Sequence, residues 1–208
     1  MYGLNKDEIS QLRKLSNPRK IQDFLDTLPI NFEKTGETYM SPRRTLREKK
    51  AHCLEGALVA AVTFWIHGGK PLLMDFRTAD DDEDHVVAPF TENGYWGAIS
   101  KTNHAILRYR DPVYASYREL AMSYFHEYFM FENGRKTLVS YSKPLNLKTF
   151  GTAWVTAEEE LDEIALALDE APHVAAVPRA NRSRIRLASQ IELEAGKLTE
   201  WSKDDPRT

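Results

Sequence analysis

Ala51-His-Cys-Leu-Glu-Gly-Ala-Leu-Val-Ala-Ala-Val-Thr-Phe-Trp-Ile-His-Gly-Gly69 decides how this chain folds. The run from Cys53 to Ile66 is apolar nearly all round, which predicts a helix buried on most of its surface. Gly68-Gly69 closes it. Cys53, the chain's single cysteine, stands at the front of the run. A thiol at a helix N-terminus feels the positive end of the helix dipole, which favours thiolate. A free cysteine inside a core is a small hydrophobe. The position at the helix start, with His52 and Glu55 beside it, sets the reactive reading against the inert one.

Three strand patterns follow. Leu72–Arg77 alternates, with Leu72, Met74 and Phe76 on one face. His85–Phe90 and Tyr95–Ser100 flank Thr91-Glu-Asn-Gly94, and Asn-Gly between two apolar runs predicts a hairpin. A two-residue loop puts Phe90 opposite Gly97 and His85 opposite Thr102. A three-residue loop or a bulge, for which Gly97 is a host, puts Asn103 opposite His85 instead. Asn103, Thr102 and Ser100 are therefore candidates to orient the His85 imidazole. Asn103 is chemically favoured: an amide oxygen holds one ring nitrogen without adding charge. His104 is a second candidate base that otherwise reads as an ordinary surface or half-buried histidine. A nucleophile on a buried helix and a base on the adjacent sheet is how a Cys-His site is assembled.

This order resembles the transglutaminase-like branch of the papain-type cysteine enzymes. There a Cys starts a core helix, a glycine turn follows, then a strand, a His-led strand, and a strand carrying Asp or Asn. The matching residues here are Cys53, Gly68-Gly69, Leu72–Arg77 and His85, within residues 40–110. In place of the family's Asp after a Gly-Trp pattern, this chain has Gly94-Tyr-Trp-Gly-Ala-Ile-Ser-Lys-Thr-Asn103. The resemblance implies an α+β fold in which a buried, Cys-bearing helix packs on an antiparallel sheet. It implies thiol acyl chemistry at Cys53, His85 and Asn103 on a peptide or small-molecule amide, as a cysteine hydrolase or acyltransferase, with no cofactor and no metal. The missing Asp supports a rival reading, a binding or structural protein that keeps the frame without its chemistry.

The 208 residues suffice for one domain with a sizeable core. We expect a core over residues 1–150 and a C-terminal helical extension over 151–208 packed on it. A net charge of -3 offers no basic field for nucleic acid. Ala57–Ile66 is too short to span a membrane, and no apolar leader is visible at the N-terminus. With a single thiol suited to a reducing compartment, the expectation is a cytoplasmic protein.

Local signals place further elements. Asn17-Pro18 and Ser41-Pro42 start helices, as does Asp111-Pro112. Thr137–Tyr141 and Phe150–Val155 read as strands, and the capping-box pattern Thr156-Ala-Glu-Glu159 predicts a helix over 157–169. Arg43, Arg44, Arg47, Lys49 and Lys50 form either a solvated face or the wall of an anion-binding cleft. Asp80-Asp-Asp-Glu-Asp84 reads as solvated loop, and metal binding through His85 with Asp82 or Asp84 is the weakest alternative.

Overall fold

The computed structural model describes residues 1–34, 36–79 and 82–208. The fold is α+β. Four helices come first: α1 (Lys6–Lys14), α2 (Pro18–Asp26), α3 (Pro42–Glu48) and α4 (Cys53–Ile66). The starts of α2 and α3 are set as their sequences predict. Asn17 and Ser41 accept from the backbone N–H three residues on, and proline fills the first helical position. In α4, eleven of fourteen residues are buried. Full burial of a Leu or Val side chain stabilises by about 1.5–3 kcal/mol, and Leu58, Val59 and Val62 are each fully covered.

The described residues form one antiparallel sheet from β1 (Leu72–Arg77), β2 (His85–Glu92), β3 (Tyr95–Ile99), β4 (Arg110–Tyr114), β5 (Ser140–Ser142), β6 (Leu145–Asn146) and β7 (His173–Ala175). The strand order is β4-β3-β2-β1-β5-β7, with β6 also pairing β1. α4 packs across one face, against Leu73, Val86, Ala88, Phe90 and Ile99. The other face carries Met74, Phe76, Val87 and Ala98, covered by α5 (Tyr117–Tyr124) and the Tyr128 segment. The fold is thus helix, sheet, helix, with α4 as its central element.

The hairpin between β2 and β3 is regular. Asn93 and Gly94 both have positive φ (51° and 85°), as a type I′ turn requires. Phe90 pairs with Gly97 and Ala88 with Ile99. Gly97 does host an irregularity, but in the β3–β4 pairing, where the register shifts between Trp96 and Ala98. A Cβ at Gly97 would lie 2.7 Å from the Arg110 carbonyl oxygen.

Four local expectations are corrected. Asp111-Pro112 does not cap a helix but lies within β4, an edge strand, where a missing N–H costs no ladder bond. α5 starts later, with Ser116 as cap accepting from Glu119 N–H. Phe150–Val155 is not a strand: the chain makes 3-10 turns over Leu147–Phe150 and Ala153–Val155. The helix expected over 157–169 is α6 (Asp162–Asp169). The Glu residues ahead of it are drawn off, Glu158 to Arg47 and Glu160 to Arg44 and the Tyr39 N–H. The strand expected over Thr137–Tyr141 is β5, at Ser140–Ser142. β7 joins the main sheet beside β5, so the segment after residue 150 supplies a strand as well as helices α6 and α7 (Gln190–Gly196). Among the described residues no helix is long and apolar enough to cross a membrane.

Candidate active site

Helix α4 delivers Cys53 by a cap unusual in its chemistry. His52 is the N-cap: its Nδ1 accepts from Leu54 N–H at 3.3 Å, while Glu55 reaches back to the His52 N–H at 2.9 Å. This is a capping box built with an imidazole where a hydroxyl is usual. Glu55 is fully buried. Its carboxyl group also accepts from Asn31 Nδ2, Thr38 Oγ1 and Met40 N–H, at 3.1, 2.9 and 3.3 Å. One buried group thereby ties the 31–40 loop to the start of α4. His52 Nε2 donates to the Thr38 carbonyl at 2.6 Å, which leaves Nδ1 turned toward the thiol at 3.9 Å from Sγ.

His85, the first residue of β2, is buried. It stands opposite Phe76 and shares the face of Met74, Phe76 and Val87. Its Nε2 lies 2.8 Å from Ser100 Oγ. Ser100 has one hydroxyl proton, and it goes to the Leu107 carbonyl at 2.5 Å. The serine oxygen must therefore accept from His85 Nε2–H, leaving His85 Nδ1 as the free lone pair. Ser100 is itself clamped at its backbone by Gln22 of α2, which accepts from its N–H at 3.0 Å and donates to its carbonyl at 2.8 Å.

Burial pushes the Cys53 thiol up, but hydrogen bonds and charge from His52 and His85 outweigh it and hold the thiol well below its ordinary value. For His52, burial works against the charged form. The hydrogen bond to Cys53, the Cys53 charge and Glu55 outweigh it, raising the imidazole to about 10. The pair therefore favours thiolate and imidazolium, a state in which His52 Nδ1 carries a proton toward Sγ and no longer accepts from Leu54 N–H.

Asn103 lines the same cleft as Cys53 and His85, but it lies beyond the end of β3, and the chain's C-terminal tail engages its amide. Asn103 Nδ2 donates to the Trp201 carbonyl at 3.0 Å, and its Oδ1 accepts from Trp201 N–H at 2.8 Å. The orienting contact belongs to Ser100. His104 is turned to the same tail, with Nδ1 2.8 Å from the Gly196 carbonyl.

Cys53 and His85 share a cleft of about 440 Å³, whose lining includes Ile30, Phe32, Tyr128 and Phe129. A hollow of about 480 Å³ at the far end of α4, lined by Phe64, Phe90 and Trp96, holds no such thiol. Glu33, Asp82, Glu83, Asp84, Glu127 and Glu132 line the Cys53 cleft, against Lys101 and Lys203. Its field is negative, which disfavours anionic ligands. The cations of α3 face elsewhere: Arg43 pairs with Glu8, Arg44 with Glu160 and Arg47 with Glu158. They are a paired surface and not a cleft wall.

Of the acidic run, Asp80 and Asp81 lie outside the described residues. Asp82–Asp84 is loop. Asp84 accepts from Thr78 N–H and Oγ1, and Asp82 from Thr137 Oγ1. These bonds hold Asp84 on Thr78 and Asp82 on Thr137, and His85 Nε2 is committed to Ser100. Among the described residues no group of three or more His, Cys, Asp or Glu is disposed to hold a metal.

The sequence marks Glu55 as a neighbour of Cys53 but gives no signal of its buried hydrogen-bonding role. Lys101 carries no signal at all: it is fully buried, donates to the Leu25 and Leu28 carbonyls at the end of α2, and is pushed down by burial to about 8. No protein-family model matches this chain, and a search of curated proteins finds no relative.

Proposed function

We propose that this protein carries out thiol acyl chemistry in a transglutaminase-like frame, cleaving or transferring the acyl group of an amide or ester through a Cys53 thioester. The observation that carries the reading is the thiol at the start of the central helix, with His52 Nδ1 3.9 Å from its sulfur and His85, held by a serine, in the same cleft. Cys53 is the nucleophile. His85 is the acid and base: its free Nδ1 takes up a proton, from the thiol or from water once His52 holds the thiol's own, and gives it to the leaving amine. His52 Nε2 is tied to Thr38, and once the ring is charged its Nδ1–H turns to Sγ, 3.9 Å away, in place of the Leu54 cap. It is suited to stabilise the thiolate and not to follow a leaving group. The Cys53 N–H, at the first position of α4, has no partner in the helical ladder and can serve a developing oxyanion. The acidic lining favours neutral or cationic substrates over anionic ones.

The test is to trap the intermediate. Incubation with p-nitrophenyl acetate, an acid quench and peptide mapping should find the acetyl group on Cys53 and nowhere else. His85→Ala should abolish its formation. Absence of acetyl-Cys53 in the native protein, with p-nitrophenol released no faster than by Cys53→Ser, would point to a protein that keeps the frame without the chemistry.

A further inference from the structure

Tyr128 is 2 % exposed, and its ring packs against Phe76 with centroids 6.1 Å apart. Phe76 is the cross-strand partner of His85. Tyr128 therefore packs on the face of the sheet that carries His85, and it lines the cleft that holds Cys53. Its phenolic oxygen is buried and finds no hydrogen-bond partner among the described residues. A buried tyrosine hydroxyl ordinarily finds one. Its neighbours do: Tyr124 donates to the Arg108 carbonyl at 3.1 Å, and Tyr141 accepts from Arg118 at 3.1 Å. Two other buried polar atoms share the deficit, on Tyr109 and Trp201, but neither residue lines the cleft.

We propose that the Tyr128 hydroxyl is a catalytic residue, the side-chain donor that receives the oxyanion formed when Cys53 attacks a carbonyl. The inference rests on the reading of Cys53 as an acyl-forming nucleophile. In the step concerned, the Cys53 sulfur forms a bond to the carbonyl carbon and the C=O electron pair moves onto oxygen. That oxygen accepts from Tyr128 O–H and from the Cys53 N–H. Collapse restores the C=O, breaks the bond to the leaving group, and sends the His85 proton to the departing amine or alkoxide. Tyr128 donates a hydrogen bond throughout and gives up no proton. Burial, reinforced by the charge at Cys53, holds its phenol well above the ordinary value, so it stays a donor. An unpaired donor waiting for charge that develops only in the transition state is what preorganised stabilisation requires.

Tyr128→Phe removes only the hydroxyl. With p-nitrophenyl acetate as probe we expect kcat/KM to fall about 100-fold or more, the range for one oxyanion donor, mostly in kcat. Alkylation of Cys53 by iodoacetamide proceeds at a saturated carbon and forms no oxyanion, so its rate should stay within about twofold of the native protein. The melting temperature should hold or rise, since an unmatched buried hydroxyl has been removed. Unchanged ester turnover in Tyr128→Phe, with acetyl-Cys53 still formed, would overturn this proposal and leave the acyl chemistry standing. An equal fall in both reactions would make Tyr128 a packing residue and overturn it as well. A native protein that never acetylates Cys53 overturns the wider reading and this one with it.

Discussion

His85 Nε2 and Ser100 Oγ stand 2.8 Å apart, and because Ser100 spends its own proton on Leu107, the contact has only one direction. The imidazole is held as the tautomer whose free nitrogen is Nδ1. A serine does here what an Asp or Asn does in other Cys-His sites: it fixes ring and tautomer.

Ser100→Ala should therefore lower ester turnover by roughly tenfold or more, less than the roughly 10²–10⁴-fold expected for His85→Ala. Asn103→Ala should leave turnover near that of the native protein while freeing the tail at Trp201 to limited proteolysis. Steady-state kinetics on the three variants checks this. A larger loss with Asn103→Ala than with Ser100→Ala would reverse the assignment.

His52 has two duties, and one substitution separates them. Asn at position 52 can still cap α4 but carries no positive charge. In His52→Asn the midpoint of Cys53 alkylation against pH should move upward, with the circular dichroism of the native fold retained. An unmoved midpoint would assign the thiolate to His85 and the helix dipole alone.

The sequence patterns that act over a few residues were legible, and those that depend on distant partners were not. The apolar run of α4, the alternation of β1 and the Asn93-Gly94 turn each carry their own signal. Register was legible too: a two-residue loop predicts Thr102 across from His85 and Ser100 on its face. The preference for Asn103 came from the chemistry of the amide, and it needed a bulge that the chain places on the other side of β3. Pro112 and the Thr156-Ala-Glu-Glu159 pattern gave other elements for a different reason. The same local signs serve an edge strand or a surface ion pair when tertiary partners claim them. Tyr128 and Lys101 act through contacts dozens of residues away, which no window of sequence displays.

Packing at the start of α4 has a sharp test. A Cβ on Gly56 would lie 2.6 Å from Lys101 Cβ, and Lys101 is anchored by the α2 carbonyls. Gly56→Ala should destabilise by about 1–3 kcal/mol despite its better helix propensity. Urea denaturation reads this directly. A gain in stability would mean that the Lys101 anchor yields easily.

Asp75 sets a pH dependence away from the cleft. Burial raises it from 3.8 to about 6, against the opposing hydrogen bond from His173 at 2.9 Å. A carboxyl group raised in the folded state binds more protons there than when unfolded. Its contribution is fully present below about pH 4 and is lost as pH rises through about 6. The difference is on the order of 2–3 kcal/mol. Asp75→Asn should flatten this part of the stability profile, as followed by thermal denaturation between those limits. A profile with the same slope in both proteins would remove Asp75 as the cause.

The activated thiol is the centre of the account, and the rate of Cys53 alkylation by iodoacetamide as a function of pH tests it most directly. The thiol is held well below its ordinary value, so the folded protein should react at a nearly constant rate through neutral pH and slow only on acidification. Cys53 in urea should show the ordinary thiol profile, with a midpoint near about 8.5. A folded protein whose rate climbs tenfold per pH unit through neutrality, or whose thiol stays inert until the chain unfolds, would contradict the account.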